Sequence, residues 1–241
     1  LPGICSGDWM RFCRPDSYGY LAPLHGLMNW GSFCINGEAV AIRAPGFSWF
    51  SSVILRLFGS EWKDYSVCSM TDIGILALVM LTVNALMIVM VYCAGVVFSC
   101  RRTAVVAAWI VALNPTAIAQ ASMMLSDSLF SFLISVQLYL LVAGWKRKKL
   151  WLFAVGIVVG ALASLVRPIS SIWVLPGLVL LVFLPGFSLK RKVFAGIAVL
   201  FFWGAILFPW MERNRAIGSG FCIFLISTSS RGQSPWRSPG K

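Results

Sequence analysis

The chain has 241 residues, of which 59% are hydrophobic and only 12% charged. That is too little charge to cover a soluble domain of this size, and several apolar runs approach or exceed the roughly 20 residues that cross hydrocarbon. The net charge of +12 does not point to nucleic acid, because nine of the twenty cations stand in three short clusters between apolar runs: Arg101-Arg102, Lys146 to Lys149 and Lys190 to Lys192. Clusters of that kind are the positive-inside signal of membrane proteins.

Residues 1–70 are mixed in character and hold five of the eight acidic residues, with turn formers at Pro15, Pro23, Pro45 and Gly46. The first constellation is Arg14-Pro15-Asp16-Ser17-Tyr18-Gly19-Tyr20. An aspartate just before a helix is a good N-cap, and a carboxylate in an outer loop is also a candidate base; both readings of Asp16 stand. Ser17 to Phe33 is a weak amphipathic candidate. Arg43-Ala44-Pro45-Gly46-Phe47 follows, with a Pro-Gly turn leading into a helix over Phe47 to Phe58. Phe47, Phe50, Ile54 and Leu57 recur at helical spacing, with Ser48, Ser51, Ser52 and Arg56 largely between them, which suits a helix lying at the membrane interface. Arg43 is either an interfacial anchor or a guanidinium able to grip a lipid phosphate. His25 is the only histidine, so a multi-histidine metal site is excluded and an interfacial residue is expected. Seven cysteines show no metal-ligand spacing; Cys5, Cys13, Cys34 and Cys68 are either disulfide partners in an oxidising compartment or free thiols.

From Thr71 the apolar runs predict about six transmembrane helices, at about 72–99, 103–118, 121–143, 150–166, 169–186 and 193–210. The expected class is an all-α polytopic membrane protein: an extracytoplasmic loop with one or two interfacial helices over 1–70, a helical bundle over 71–210 and an extracytoplasmic segment over 211–241. One topology puts all three cation clusters inside. Every acidic residue then falls on the outer side or at an outer helix end. Those carboxylates are either solvated loop residues or a candidate for chemistry at that face.

Three further constellations fall at the outer end: Asn114-Pro115 with Leu125-Ser126-Asp127-Ser128, Arg167-Pro168, and Pro209-Trp210-Met211-Glu212-Arg213-Asn214. Asp127, in the first turns of a span, is explained by the helix dipole or by a functional role near the boundary. No phosphate-binding loop, dinucleotide fingerprint or zinc-protease motif is present.

Taken in order, these motifs resemble the GT-C glycosyltransferases that use lipid-linked sugars, and most of all the family 39-like group of protein O-mannosyltransferases and bacterial aminoarabinose transferases. The resemblance rests on Arg14-Pro-Asp-Ser-Tyr-Gly-Tyr-Leu, Arg43-Ala-Pro-Gly-Phe, Asn114-Pro, Leu125-Ser-Asp-Ser-Leu-Phe, Val166-Arg-Pro and Pro209-Trp-Met-Glu-Arg-Asn, and it spans nearly the whole chain. It implies inverting transfer of a sugar from a polyprenyl-phosphate donor to an acceptor hydroxyl on a protein, lipid or glycan, at the extracytoplasmic face of the plasma (bacterial inner) membrane. It implies Asp16 as base, Asp127 as a second acidic position that orients acceptor or loop, and Arg43, Arg167 and Arg213 as donor-phosphate ligands. No cofactor is fixed by it; a divalent metal has no ligand spacing in the sequence. It also implies a preceding helix and a C-terminal continuation, so the chain is expected to be a fragment. The alternative is a transporter or flippase for a lipid-linked or small anionic solute. A third is a non-catalytic membrane scaffold. Against transport stands the scarcity of midplane charges in the spans, with the ionisable residues gathered at the outer rim; Asn84 and Gln137 are the main polar exceptions, and neither forms a pair in sequence.

Overall fold

The computed structural model describes residues 17–60 and 70–218, apart from 36, 42, 122, 184 and 185. Asp16, Arg14, Cys5, Cys13, Cys68 and the segment from 219 onward lie outside the described residues. The described chain is mainly helical. Helix α1 (Tyr18–Trp30) ends on Gly31 in the left-handed conformation and leads into a two-residue hairpin, β1 (Cys34–Ile35) and β2 (Glu38–Ala39). Then come α2 (Gly46–Leu57), α3 (Met70–Phe98), α4 (Arg101–Ala112), α5 (Pro115–Ala121), α6 (Ser126–Arg147) and α7 (Leu150–Val166). A 3-10 segment (Pro168–Trp173), α8 (Val174–Phe183) and α9 (Leu189–Ala216) complete the order.

Three of these helices are long and apolar enough to cross a membrane: α3, α6 and α9. The pair α4–α5 makes a fourth if it is counted as one span, and it is bent by 60° at its break. In each long helix no more than 39% of the most apolar window is buried inside the protein. Leu86, Val89, Val106, Ile110, Phe194, Ile197 and Phe201 are among the large side chains left facing outward. Helices that are apolar on the face turned away from the core fit a hydrocarbon solvent rather than water.

Two of the six expected spans take a different form. The run over 103–118 is two helices, because Pro115 cannot donate within a helix and disfavours helical geometry at Asn114, so a new helix starts with proline at its first position. The run over 169–186 opens as a 3-10 segment with Pro168 at its start, and its α-helical part, α8, has only 10 residues. Among the described residues, three to four of the six expected spans are long and apolar enough to cross a membrane, and α7 and α8 are shorter apolar helices.

The cation clusters gather at one end. Lys146 Nζ stands 5.7 Å from the Phe98 ring at the end of α3, and Lys148 packs beside Gly186 in the α8–α9 connection. The hairpin and helices α1 and α2 cap the other end. There Phe33 meets Trp210 of α9 edge-on at 4.9 Å, and Tyr20 and Phe47 pack with Val166 of α7 and Leu129 of α6. Gly46 is where α2 touches α7: a Cβ at this position would lie 2.7 Å from the Leu165 carbonyl oxygen. A side chain there has no room, so glycine sets how closely the two helices approach.

Helix α2 faces the opposite way from a soluble amphipathic helix. Ser48, Ser51 and Ser52 are buried with Phe47 and Leu55, while Trp49, Val53, Leu57 and Phe58 are exposed. Two of the serines find acceptors: Ser48 donates to the Tyr20 carbonyl at 2.8 Å and Ser52 to the Trp49 carbonyl, while the Ser51 hydroxyl is buried without one among the described residues. His25 is buried in α1 with its ring edge-on to Trp30. Cys34, Cys93 and Cys100 are free thiols.

Candidate functional site

At the end capped by α1 and α2, three helices and the loop before α2 bring one cluster together. The first turn of α6 supplies Ser126 and Asp127. The α7 terminus supplies Arg167, held outside the helix in extended backbone by the proline that follows it. Its Nη2 lies 2.7 Å from Asp127 Oδ1 and its Nε donates to Ser126 Oγ at 3.3 Å. Ser126 Oγ in turn shares a 2.8 Å hydrogen bond with the Tyr20 hydroxyl of α1. The Arg43 guanidinium stacks 5.3 Å from the Tyr20 ring centroid, close to the backbone of Gly19. The order Arg43, Tyr20, Ser126, Arg167, Asp127 thus runs as one connected set across α1, the loop before α2, α6 and α7.

The burial of its members is graded. Ser126 is fully buried and Tyr20 nearly so, whereas the Arg167 side chain is 40% exposed and Asp127 19% exposed. A guanidinium has five N–H donors in a fixed fork. Ser126 and Asp127 take two of those of Arg167, which leaves donors for an incoming anion. Ser170 Oγ donates to the Arg167 carbonyl at 3.0 Å and fixes the backbone below it. Asp127 sits in the first turn of α6, where the helix dipole also favours a carboxylate.

Arg213 is placed elsewhere. Its Nη1 donates to the Val40 carbonyl at 2.9 Å and to Asn214 Oδ1, and its Nη2 donates to the Phe33 carbonyl. Its Cζ stands 4.7 Å from the Trp210 ring centroid and 5.4 Å from that of Phe33. It therefore straps the hairpin to α9, and it is not joined to the cluster of Arg43 and Arg167. The N-cap position of α1 falls on Ser17, one residue after Asp16. Among the described residues no group of three or more His, Cys, Asp or Glu side chains could hold a metal ion.

Tyr20 and Ser126 are the cluster members to which the sequence assigned no role. Both stand inside the motifs already singled out, four residues after Asp16 and one before Asp127, and a polar side chain at the outer end of an apolar run was the available signal.

Among the described residues, the fold and site define a helical protein with three to four helices long and apolar enough for a bilayer, cationic at one end, with an arginine–carboxylate cluster at the other. Comparison with known proteins finds no matching family model, curated protein or solved structure.

Proposed function

We propose that this chain is an integral membrane glycosyltransferase that moves a sugar from a polyprenyl-phosphate donor to an acceptor hydroxyl. One observation carries the reading: Arg43 on the Tyr20 ring and Arg167 on Ser126 are linked through the Tyr20–Ser126 hydroxyl pair, with Asp127 ion-paired to Arg167, at the end of the bundle opposite the cation clusters. Donor transfer needs cations where negative charge develops on the departing phosphate. Arg43 and Arg167 fit that task, and Asp127 orients Arg167. The acceptor oxygen forms its bond to the anomeric carbon from the face opposite the phosphate. The carbon–oxygen bond to phosphate breaks with its electron pair, and the acceptor proton passes to a carboxylate, Asp16 in this reading. A single displacement inverts the anomeric centre. The site face is extracytoplasmic if the cation clusters lie inside.

The test is transfer of labelled sugar from a polyprenyl-phosphate donor in membranes carrying the protein, with Asp16→Asn and Arg167→Gln variants at matched protein levels. Both variants are expected to lose transfer; normal transfer by both would remove the reading. A second reading, translocation of a lipid-linked or small anionic solute, is favoured by the α4–α5 break, since interrupted helices line transport sites. Uptake of solute without any transfer would select it.

A further inference from the structure

The break between α4 and α5 opens a cavity of about 190 Å³ that the cluster above does not use. Asn84 of α3, Asn114 and Thr116 at the break, Gln120 of α5, and Ser128 and Ser131 of α6 supply its polar lining. None of these side chains carries a charge. Part of their capacity is spent inside the protein: Asn84 Nδ2 donates to the Ala117 carbonyl at 3.0 Å, Asn114 Oδ1 accepts from the Thr116 amide and Ser128 donates to the Gln120 carbonyl. The other amide oxygens, amide N–H groups and hydroxyls remain available for a guest.

Their depth gives this set its meaning. Asn84 lies about 21 Å along α3 from Phe98 at the cationic end, and Asn114 about 20 Å along the chain from Arg101, taking 1.5 Å per residue. Two antiparallel neighbours therefore deliver amides to the same level. That level is about 10 Å short of the far side of a hydrocarbon core roughly 30 Å thick, and Ser128, one residue after Asp127 in the first turn of α6, carries the cavity on toward the end that holds the arginine–carboxylate cluster. Polar groups at such depth are costly without partners. A charged guest would find no countercharge on this lining, whereas a neutral group rich in hydroxyls would match donors with acceptors. The volume is that of about six water molecules in the liquid, the bulk of one pyranose ring.

We infer that this cavity is a binding site for an uncharged polyhydroxylated group, a sugar ring presented either free or as the head of a lipid glycoside. The inference rests on the membrane reading of the chain but not on sugar transfer, so either can fail alone.

The test uses the full chain purified in a polyoxyethylene alkyl ether, with the unfolding midpoint followed as ligand is added. The ligands are methyl β-glucoside, octyl β-glucoside and, as a control of equal alkyl length, an octyl polyoxyethylene ether. A saturable rise with a glucoside, absent with the ether, is expected. Saturation by methyl β-glucoside identifies a free sugar site, and saturation by octyl β-glucoside alone identifies a lipid head group. Ser131→Leu fills the cavity and is expected to abolish the rise. Ser131→Ala keeps the volume, removes one hydroxyl and is expected to weaken binding by about threefold to tenfold, which decides the matter if the leucine variant does not fold. No saturable rise with either glucoside overturns the inference, as does an undiminished rise in both variants. Failure of Asp16→Asn to affect transfer leaves these outcomes untouched.

Discussion

Replacing Gly46 with alanine tests the joint on which the candidate site depends. The added methyl would lie 2.7 Å from the Leu165 carbonyl oxygen, 2.8 Å from its carbon and 2.8 Å from a Val166 methyl. Two of the three obstacles are backbone atoms, so no rotamer change relieves them, and α2 must move off α7. Forcing a methyl into a filled contact costs about 1–3 kcal/mol. The greater helix propensity of alanine offsets at most about 1 kcal/mol in a helix interior, and less at the first residue of α2. The expected net loss is about 1–2 kcal/mol, or a fall of roughly 2–8 °C in unfolding midpoint for a chain of this length. Gly204→Ala is the matched control, since a Cβ there meets nothing within 4 Å, and a small gain in stability is expected. Midpoints of both variants in one detergent check the pair. Because the loop bearing Arg43 enters α2 at this point, Gly46→Ala should also lower sugar transfer, whereas Gly204→Ala should not. A Gly46→Ala protein as stable as its parent would refute the close approach of α2 to α7.

Asp127→Asn frees Arg167 while changing little else; with the arginine 40% exposed, a stability change within about 1 kcal/mol is expected, alongside a loss of transfer on the order of 100-fold or more. Thermal unfolding and the transfer assay in parallel separate the two effects. Arg213→Lys keeps the charge but not the fork that reaches the Phe33 and Val40 carbonyls. It should destabilise by about 2–3 kcal/mol, and proteolysis between the hairpin and α9 should become faster. Cys100 is exposed between α3 and α4, and its hydrogen bond with Thr103 lowers its pKa below that of an ordinary thiol. Its alkylation rate should rise at lower pH than for a free thiol, and Thr103→Ala should move that profile back up. In a variant retaining Cys100 alone, a membrane-impermeant maleimide should label only from the side that bears Arg101 and Arg102.

Length and hydropathy were enough to find α3 and α7, expected at 72–99 and 150–166 and observed at Met70–Phe98 and Leu150–Val166. An uninterrupted apolar run has one economical fate in hydrocarbon, where each backbone N–H must be satisfied within the segment. The interruptions were visible as well, but their result was not. Asn114-Pro115 and Arg167-Pro168 were read as ends of spans, yet a proline states only that one hydrogen bond is missing. Whether the chain then bends by 60°, as after Ala112, or continues as a 3-10 segment, as from Pro168, depends on what packs beside it. The site was legible as a set of motifs and not as a geometry. Asp127 and Arg167 are 40 residues apart in sequence, and nothing in either motif names the other as its partner. Likewise the serines of α2 showed a polar stripe, while which side of the helix meets protein was left to the surroundings.

That last choice connects the helix to the chemistry proposed at its start. In water, α2 would turn Trp49, Val53, Leu57 and Phe58 inward and its serines out. With apolar surroundings, exposing those four costs nothing, and the stripe that must be covered is the hydroxyl-bearing one. Serine suits burial there because it needs few partners, which neighbouring carbonyls such as that of Tyr20 provide, and because it is small. Small side chains and Gly46 together let α2 settle against α1 and α7. Only at that spacing does the preceding turn bring Arg43 onto the Tyr20 ring, whose hydroxyl already engages Ser126 beside Arg167. A bulky residue on that face would therefore separate the two guanidinium groups before it disturbed either one directly. The polar stripe of α2 is better understood as the hinge plate of the cluster than as a surface for water.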